Sequence, residues 1–364
     1  MRTAGRLLGT ALVVLLIGLV GFFFWASGDR LPDDALAQTT RHASLPAAPD
    51  TLTVATYNLG YLSGLTNNEP VVRSESLFTN NMERAVTLLR GADADVVGLQ
   101  EVDFGAARSF YKHQLDTLAA RLNYGATAQA VNWDKRYVPF PYGGPAVHFG
   151  RVLSGQGLLS RMPIQAHRRY VLPRPPQPFY RSAFYLDRLA QTALLDWGGR
   201  PLLVINVHLE AFHQGTRMDQ ARAVRALYDR LAVPGLPVLL TGDFNSEWPA
   251  STPSAAGTAH HNAADSTLHI LLRDTDLRAA YPDSIAHTAP TFPADAPARK
   301  IDHIFYTAGA FKQVSQAVRC GAPSPPSDHC AVVTSLTLDA TAAPPPPLDS
   351  ARALLPPAGH LPEN

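Results

Sequence analysis

The 364-residue sequence predicts an α/β fold, in which helices cover β-sheets, preceded by one transmembrane helix. Three observations support this prediction. Short runs rich in β-branched residues alternate with patterns typical of amphipathic helices, and an uncharged run of 20 residues stands near the N-terminus. Strands that are apolar on both faces need cover on each side, so the sheets are expected inside a layered structure. The formal net charge of +1 provides no global positive field that would concentrate nucleic acid.

The N-terminal apolar run covers residues 7–26. Its length matches the roughly 20 residues that a helix needs to cross a membrane. Arginines precede the run and aspartates follow it, so the positive-inside rule places the N-terminus in the cytoplasm. The domain is therefore expected to be membrane-anchored and extracytoplasmic, in the periplasm or outside the cell. Secretion after signal cleavage is the alternative, because Ala35-Leu36-Ala37 resembles a cleavage site, although it lies far beyond the apolar run.

Composition divides the chain into four segments. Residues 1–28 form the anchor or signal segment. Residues 29–50 lack a sustained apolar period and are predicted to be a linker, and residues 51–338 are predicted to be the folded domain. Residues 339–364 are rich in proline, which predicts a disordered tail without a packed element.

Within residues 51–338, apolar runs and helical periods predict the individual elements. Met82, Ala85, Val86 and Leu89 fall at the spacing of a buried helix face, and Thr216 with Asp219 three residues on predicts the capped start of a second helix. Residues 133–185 are rich in Pro, Gly and aromatic side chains and are predicted to be mostly loops, with one strand at 156–160. Six further strands are predicted at 52–58, 95–102, 201–212, 237–245, 300–306 and 330–338.

The two cysteines, Cys320 and Cys330, are ten residues apart near the end of the folded region. In an exported protein such a pair is a candidate disulfide. Two buried cysteines without a bond are the alternative.

Polar side chains cluster where the predicted strands end. Singly, each has an ordinary explanation as a turn former, a helix cap or a buried histidine. Their repetition is harder to explain, because burying so many ionisable groups without a metal or a substrate is costly. The set comprises Asn58, Glu101, His208, Glu210, Asp243, Asn245, Asp302, His303, Asp328 and His329.

Six motifs in order give this set a specific resemblance. They are TYN (56–58), GLQEVD (98–103), NVHL (206–209), GDFN (242–245), KIDHIF (300–305) and SDH (327–329). The sequence resembles the endonuclease/exonuclease/phosphatase, or DNase I-like, superfamily over nearly all of the folded region. The resemblance implies a four-layered α/β sandwich of two packed β-sheets flanked by helices. It also implies hydrolysis of a phosphate ester with Mg²⁺ or Mn²⁺.

Under this resemblance, Asn58 and Glu101 are candidate metal ligands, with Asp328 as a third. Carboxylate and amide oxygens suit Mg²⁺, which keeps several waters and shares oxygens of the substrate phosphate. His329 is the candidate base for water, oriented and kept basic by Asp302.

The resemblance assigns the remaining roles less specifically. Asp243 and Asn245 are expected to position the nucleophile and to stabilise the transition state, and His208 is expected to donate a hydrogen bond or a proton to the phosphate. Glu210 shares a strand face with His208, so it could support that residue or be the solvated end of the strand. His303 is expected to be structural. For Arg188 and Lys300, surface charge is favoured over phosphate contact.

The substrate class stays open between a phospholipid head group and nucleic acid. The favoured function is a phosphodiesterase that uses a metal-bound phosphate and a water activated by histidine, and an exported DNase-like nuclease is the alternative. The aromatic segment at 136–151 suits a membrane interface, base stacking or simple packing. A membrane-tethered module that binds a ligand or partner on the same fold is the non-enzymatic alternative. Apart from the membrane and the substrate, the sequence implies no protein partner.

Overall fold

Two β-sheets stack face to face, with helices on their outer faces. A computed structural model of the protein describes residues 2–42, 48–248, 265–321 and 323–361. Among these residues each sheet has seven strands, in the orders β1-β4-β5-β3-β2-β13-β12 and β10-β11-β9-β8-β7-β6-β14. The strands are β1 (Ala37–Arg41), β2 (Thr51–Asn58), β3 (Val96–Asp103), β4 (Ala126–Val138), β5 (Gly150–Ser160), β6 (Ile164–Val171), β7 (Leu189–Trp197), β8 (Arg200–His208), β9 (Val238–Asp243), β10 (Leu277–Ala279), β11 (Asp302–Thr307), β12 (Phe311–Arg319), β13 (Ala331–Leu338) and β14 (Gly359–His360).

Three apolar clusters divide the domain into four layers. One lies between the sheets, a second joins the first sheet to α2 and α3, and a third joins the second sheet to α5, α6 and α8. This arrangement confirms the predicted fold class. The helices of the described residues are α1 (Arg2–Ser27), α2 (Glu75–Ala92), α3 (Gln114–Leu122), α4 (Phe179–Ser182), α5 (Gln214–Leu231), α6 (Thr267–Leu272), α7 (Asp283–Ala286) and α8 (Leu348–Leu354).

The sheet topology brings the polar strand ends to one edge of the sandwich. In the first sheet β2 runs parallel to β3 and ends at Asn58; in the second, β8 runs parallel to β9 and the two end at His208 and Asp243. Strand β11 is antiparallel to β9 and pairs Asp302 with Asp243. His329 directly precedes β13. The six predicted strands therefore all form, and they converge where the polar residues are.

A buried amide holds the two sheets together beneath this edge. Asn206 in β8 donates from Nδ2 to the Leu99 carbonyl across the interface, at 3.1 Å, and its Oδ1 accepts from Gln100 Nε2 at 2.6 Å. Gly98 permits this close approach, because a Cβ there would lie 2.9 Å from Asn206 Oδ1 and 2.8 Å from Thr241 Oγ1. The sequence motif NVHL thus contains an intersheet hydrogen-bond centre as well as a site residue.

The helices differ from prediction in one cap. In α2 the predicted face is buried, and Ser74 Oγ accepts from Leu77 N at the N-terminus. Helix α5 buries Ala221, Val224, Tyr228 and Leu231 on one face. It begins at Gln214, and its cap is His213, whose Nδ1 accepts from Thr216 N at 3.1 Å. The prediction of Thr216 as the cap is wrong, because the imidazole reaches the amide that a hydroxyl cap would satisfy.

Three segments that the sequence predicted to be irregular are ordered elements. Nearly half of residues 133–185 lies in strands β4, β5 and β6 of the two sheets, and of these strand residues only 156–160 were predicted. Within the predicted linker, β1 pairs antiparallel with β4. Within the predicted tail, α8 packs Ala351 into the core and β14 pairs parallel with β6. Because β1 and β14 bond to sheet edges, and their partners are distant in sequence, local periodicity did not reveal them.

Helix α1 is apolar and exposed along most of its length. Its segment Gly5–Ser27 is the one helix of the described chain that is long and apolar enough to cross a membrane. Its large apolar side chains, apart from the half-buried Phe23, are exposed to solvent, so a buried core helix is excluded.

The predicted disulfide is present between Cys320 and Cys330, at a Cα–Cα distance of 4.1 Å. It closes the loop that carries Asp328 and His329 between β12 and β13. A disulfide is typical of proteins outside the reducing cytoplasm.

Candidate active site

His329 and Asp302 form a hydrogen-bonded pair at the centre of the site. His329 Nδ1 lies 3.0 Å from Asp302 Oδ2, and Asp302 is fully buried. This contact turns Nε2 toward Asp243, whose Oδ2 is 3.8 Å away. Burial opposes charge on the ring, but Asp302 and Asp243 outweigh it and raise the pKa of His329 well above its usual value. The ring therefore binds a proton tightly, and it can act as the predicted base only from its deprotonated state.

Asp243 lies between site residues of the first sheet and those of the second sheet. Its carboxylate accepts from Asn58 Nδ2 at 3.0 Å and from the Asn245 backbone amide at 2.9 Å. Burial and the nearby Asp302 raise the pKa of Asp243 to about 7. Asn245 itself has a left-handed backbone and donates from Nδ2 to the Leu209 carbonyl at 3.0 Å.

Glu101 reaches the site from a bulge in β3. The pairing with β5 shifts register between Leu99 and Val102, and Glu101 adopts a φ of 50°, which is uncommon for a residue other than glycine. Bulges re-aim side chains, and strained backbone of this kind concentrates at functional sites. Asn67 Nδ2 donates to Glu101 Oε2 at 2.9 Å, and a hydrogen bond from Asn67 also acts to lower the pKa of Asp328.

Asp328 approaches Glu101 from the disulfide-closed loop. Burial raises the pKa of Asp328 to about 6, while the facing His329 lowers it and Glu101 raises it further. Gly60 makes room for this carboxylate, since a Cβ at residue 60 would lie 2.6 Å from Asp328 Oδ1.

His208 is placed differently from the expectation. Its Nε2 lies 2.5 Å from Arg188 Nη1, and because a guanidinium only donates, Nε2 accepts that hydrogen bond. Burial and the charge of Arg188 hold the pKa of His208 well below its usual value. A neutral imidazole with Nε2 as acceptor does not offer that nitrogen to a phosphate, which makes Arg188 the candidate donor on this side.

Arg188 is buried, contrary to the surface position favoured from sequence. Its side chain is 6% exposed, and its Nε has no hydrogen-bond partner in the described part of the chain. The fully buried Glu210 lies 3.6 Å from that Nε and accepts two contacts from the Tyr185 hydroxyl, at 2.8 and 2.9 Å. Glu210 is thus the counter-charge of Arg188 and not a solvated strand end.

Lys300 and His303 lie beneath the site. Lys300 is buried, donates from Nζ to the Asp302 carbonyl at 2.6 Å and lies over the Tyr281 ring. The surface position favoured for Lys300 is therefore wrong. His303 contacts the Ser246 carbonyl and stacks on Phe305, as expected of a structural histidine.

The donor set fits a hard divalent cation. Glu101 and Asp328 bring carboxylate oxygens to the cavity wall, and the fully buried Asn58 has its Oδ1 accepting from the Gly60 amide at 3.0 Å. Burial and, after it, neighbouring carboxylates raise the pKa values of Asp243 and Asp328. Possible ligand atoms of Asp243, Asp302 and His329 also lie within 4.8 Å of one another. We favour the first group for the metal, because Asp302 and His329 already bond to each other.

Most of the candidate site side chains line one cavity of about 1040 Å³, whereas Asn58, Glu210 and Asp302 are buried and are not among its lining residues. Its polar lining includes Glu101, Arg188, Asp243 and His329. The rest is largely aromatic and comes from the segments after β4 and β6 and from the end of α1.

Sequence analysis missed Asn67, Tyr185 and the burial of Arg188. No motif marks these residues, because each contacts its partner across loops distant in sequence. The one local signal was the aromatic composition of 133–185, which includes Tyr185.

Comparisons with known proteins agree with this geometry. The model of the Endonuclease/Exonuclease/phosphatase family matches residues 55–329. The endonuclease/exonuclease/phosphatase from Beutenbergia cavernae DSM 12333 is 21% identical with a TM-score of 0.55, over 80% of this chain and 72% of that chain.

Two eukaryotic structures are similar at lower identity. Humanized D. rerio TDP2 with 14 mutations is 15% identical with a TM-score of 0.52, over 79% of this chain and 100% of that chain. The human Nocturnin catalytic domain with bound sulfate is 16% identical with a TM-score of 0.51, over 85% of this chain and 99% of that chain. At these identities the likeness establishes the fold alone. No curated protein matches the sequence.

Proposed function

This chain belongs to the endonuclease/exonuclease/phosphatase family, and from this premise we propose that it is a metal-dependent phosphodiesterase. In the proposed reaction a water oxygen bonds to phosphorus while one ester P–O bond breaks. The products are a phosphomonoester and an alcohol, and the leaving oxygen takes a proton from solvent.

The observation that carries the proposal is the position of His329 between Asp302 and Asp243, beside the oxygen ligands of Glu101 and Asp328. Asp302 fixes the ring through Nδ1 and Nε2 faces Asp243, so a deprotonated Nε2 would take the proton of a water held there. The same two carboxylates stabilise the imidazolium that results.

Arg188 supports the phosphate side of the reaction. Arg188 lines the cavity, where a planar guanidinium can donate to phosphate oxygens. Mg²⁺ or Mn²⁺ held by Asn58, Glu101 and Asp328 would polarise the phosphoryl group.

We also propose that α1 is an uncleaved anchor and that the domain lies outside the cytoplasm. The exposed apolar helix and the disulfide support this location. The segment around the alternative cleavage site supports retention, because β1 begins there and is paired with β4.

The experiment is hydrolysis of bis(p-nitrophenyl) phosphate by the full chain in vesicles, with Mg²⁺ or with EDTA. EDTA should abolish turnover, and Glu101→Gln should reduce kcat by roughly 100-fold or more while the circular dichroism spectrum is unchanged. The matched control is Glu83→Gln, a carboxylate on α2 that pairs only with the exposed Arg121.

Full activity of Glu101→Gln would show that Glu101 is not part of the active site. EDTA-sensitive nicking of supercoiled DNA, at a rate above that for small diesters, would make the chain a nuclease. Absence of turnover while Mg²⁺ binds would leave the binding module as the function.

A further inference from the structure

The end of the anchor helix forms part of the cavity wall. Phe23 of α1 lines the same cavity as His329 and Arg188. Its ring packs edge-on against Phe184 at 5.5 Å and against Phe179 at 5.9 Å between centroids. The cavity is therefore continuous with the helix that is long and apolar enough to cross a membrane.

Contacts just after the helix hold this arrangement in place. The buried carboxylate of Asp134 accepts from the backbone amides of Arg30 and Leu31, each at 2.7 Å, and pairs with the Arg30 side chain at 2.8 Å. The Gly28 carbonyl accepts from the Arg136 amide at 3.3 Å. The cavity mouth thus has a fixed position relative to the apolar helix.

Aromatic side chains at this mouth are exposed to solvent. Tyr142 is 73% exposed and Tyr180 is 54% exposed, and both line the cavity, while the neighbouring Phe179 is 77% exposed. Exposed aromatic groups beside an apolar helix are typical of the membrane interface, where a ring meets both lipid and water. A nucleic acid would instead require a stripe of cations. The cavity lining contains four arginines, but Arg188, Arg217 and Arg299 each face a carboxylate that offsets their charge.

We propose that the substrate is an amphiphilic phosphoester drawn from the membrane that holds α1, and that Phe23 and Tyr180 bind its apolar chain. The phosphate then lies at Arg188 and His329, with the chain directed along the aromatic wall toward the lipid. The anchor is in this way a specificity determinant as well as a tether. This inference rests on the proposed phosphodiesterase activity.

The test compares two diesters with the same leaving group. Hexadecyl p-nitrophenyl phosphate carries a long apolar chain, whereas methyl p-nitrophenyl phosphate carries none. The full chain is placed in vesicles of phosphatidylethanolamine and phosphatidylglycerol, and the ratio of kcat/KM for the two probes is measured. Partition into the bilayer raises this ratio in every variant, so the comparison between variants is decisive.

Phe23→Ala should lower the hexadecyl-to-methyl ratio by roughly tenfold or more, because an aromatic contact with the chain is lost. Tyr180→Ala, outside the apolar helix, should lower it in the same direction even if Phe23→Ala disturbs membrane insertion. Phe24→Ala is the matched control, because Phe24 is the adjacent phenylalanine, is 69% exposed and does not line the cavity. Its ratio should equal that of the unaltered chain.

Equal ratios in all variants, with both probes hydrolysed, would overturn the inference and leave the phosphodiesterase proposal intact. If neither probe nor bis(p-nitrophenyl) phosphate is hydrolysed, the inference and the phosphodiesterase proposal are both overturned.

Discussion

At the scale of single residues, Glu210 shows how the fold keeps a buried cation charged. It is fully buried, accepts from Tyr185 and faces Arg188, whose guanidinium donates to His208. Removing one partner of a buried ion pair leaves the other uncompensated, which costs about 3–5 kcal/mol.

We therefore expect Glu210→Gln to destabilise the domain by a few kcal/mol and to lower kcat, because Arg188 loses its counter-charge. Urea unfolding in detergent micelles and turnover of a small diester measure the two effects. Tyr185→Phe, which removes only the hydroxyl, should have a smaller effect on both. Equal stability of the two variants would contradict the role of Glu210.

A second residue, His167, predicts how stability depends on pH. It is buried in β6, and its Nε2 accepts from Gln191 Nε2 at 3.1 Å. Burial, with the nearby Arg168, lowers the pKa of His167 from 6.5 to about 4. Because the unfolded chain binds this proton more readily, stability is complete above pH 6.5 and falls as the pH drops toward 4.

His167→Gln should remove up to about 3 kcal/mol of this acid-dependent loss. The measurement is the free energy of unfolding at pH 7, 5 and 4, and the slope is compared with that of the unaltered chain. His269→Gln, at an exposed position in α6, should leave the slope unchanged. An unaltered slope in His167→Gln would show that this histidine is not held neutral by the fold.

Sequence motifs located most of the candidate site, because its residues stand at the ends of apolar strands and such positions are visible locally. They could not predict that Arg188 is buried, because its counter-charge, Glu210, is distant in sequence. They also could not foresee that His208 would accept from Arg188, since a hydrogen-bond direction is set by the partner and not by the residue itself.

At the scale of elements, the loop between β12 and β13 depends on the disulfide. Cys320 and Cys330 close the segment that carries Asp328 and His329. A loop of this length contributes roughly 3 kcal/mol in the chain-entropy model. The bond also limits the motion of two candidate site residues.

The double variant Cys320→Ala/Cys330→Ala should lower the melting temperature and reduce kcat more than it changes KM, because the position of His329 becomes less defined. Thermal unfolding and steady-state kinetics measure this. Reduction of the unaltered chain should reproduce the loss, and reoxidation should reverse it. A double variant with unchanged kcat would show that the loop is fixed by other contacts.

The elements that the sequence predicted correctly have a strong local pattern. The six strands combine β-branched residues with polar ends, and α2 and α5 have complete apolar faces. The elements it missed have none: β1 is mostly exposed, and β14 has two residues. These two strands are stabilised by pairing with strands far away in the sequence, and local periodicity does not predict such pairing.

At the scale of the whole molecule, the segments predicted as linker and tail complete the two sheets. Strand β1 covers the edge of β4, and β14 covers the edge of β6. Unpaired edges promote association between chains. Helix α8 also brings Ala351 into the core of the second sheet.

A fragment of residues 51–338, the domain predicted from sequence, should therefore aggregate more and unfold at a lower temperature than a fragment of residues 29–361. Light scattering and calorimetry on the two purified fragments measure the difference. Both lack α1, so any contrast comes from residues 29–50 and 339–361, which supply the two edge strands, α8 and the Arg30–Asp134 contact. Equal stability would mean that these edges are protected in another way.

The contact between Arg30 and Asp134 limits how far the domain can move from the end of α1. A flexible tether of 22 residues would let the domain range over about 25 Å from the end of α1. The contact leaves only two residues between Ser27 and Arg30, which limits that range to roughly 10 Å. A cavity confined in this way encounters phosphoester groups at the surface of its own membrane at high effective concentration. It cannot reach groups on an opposing membrane.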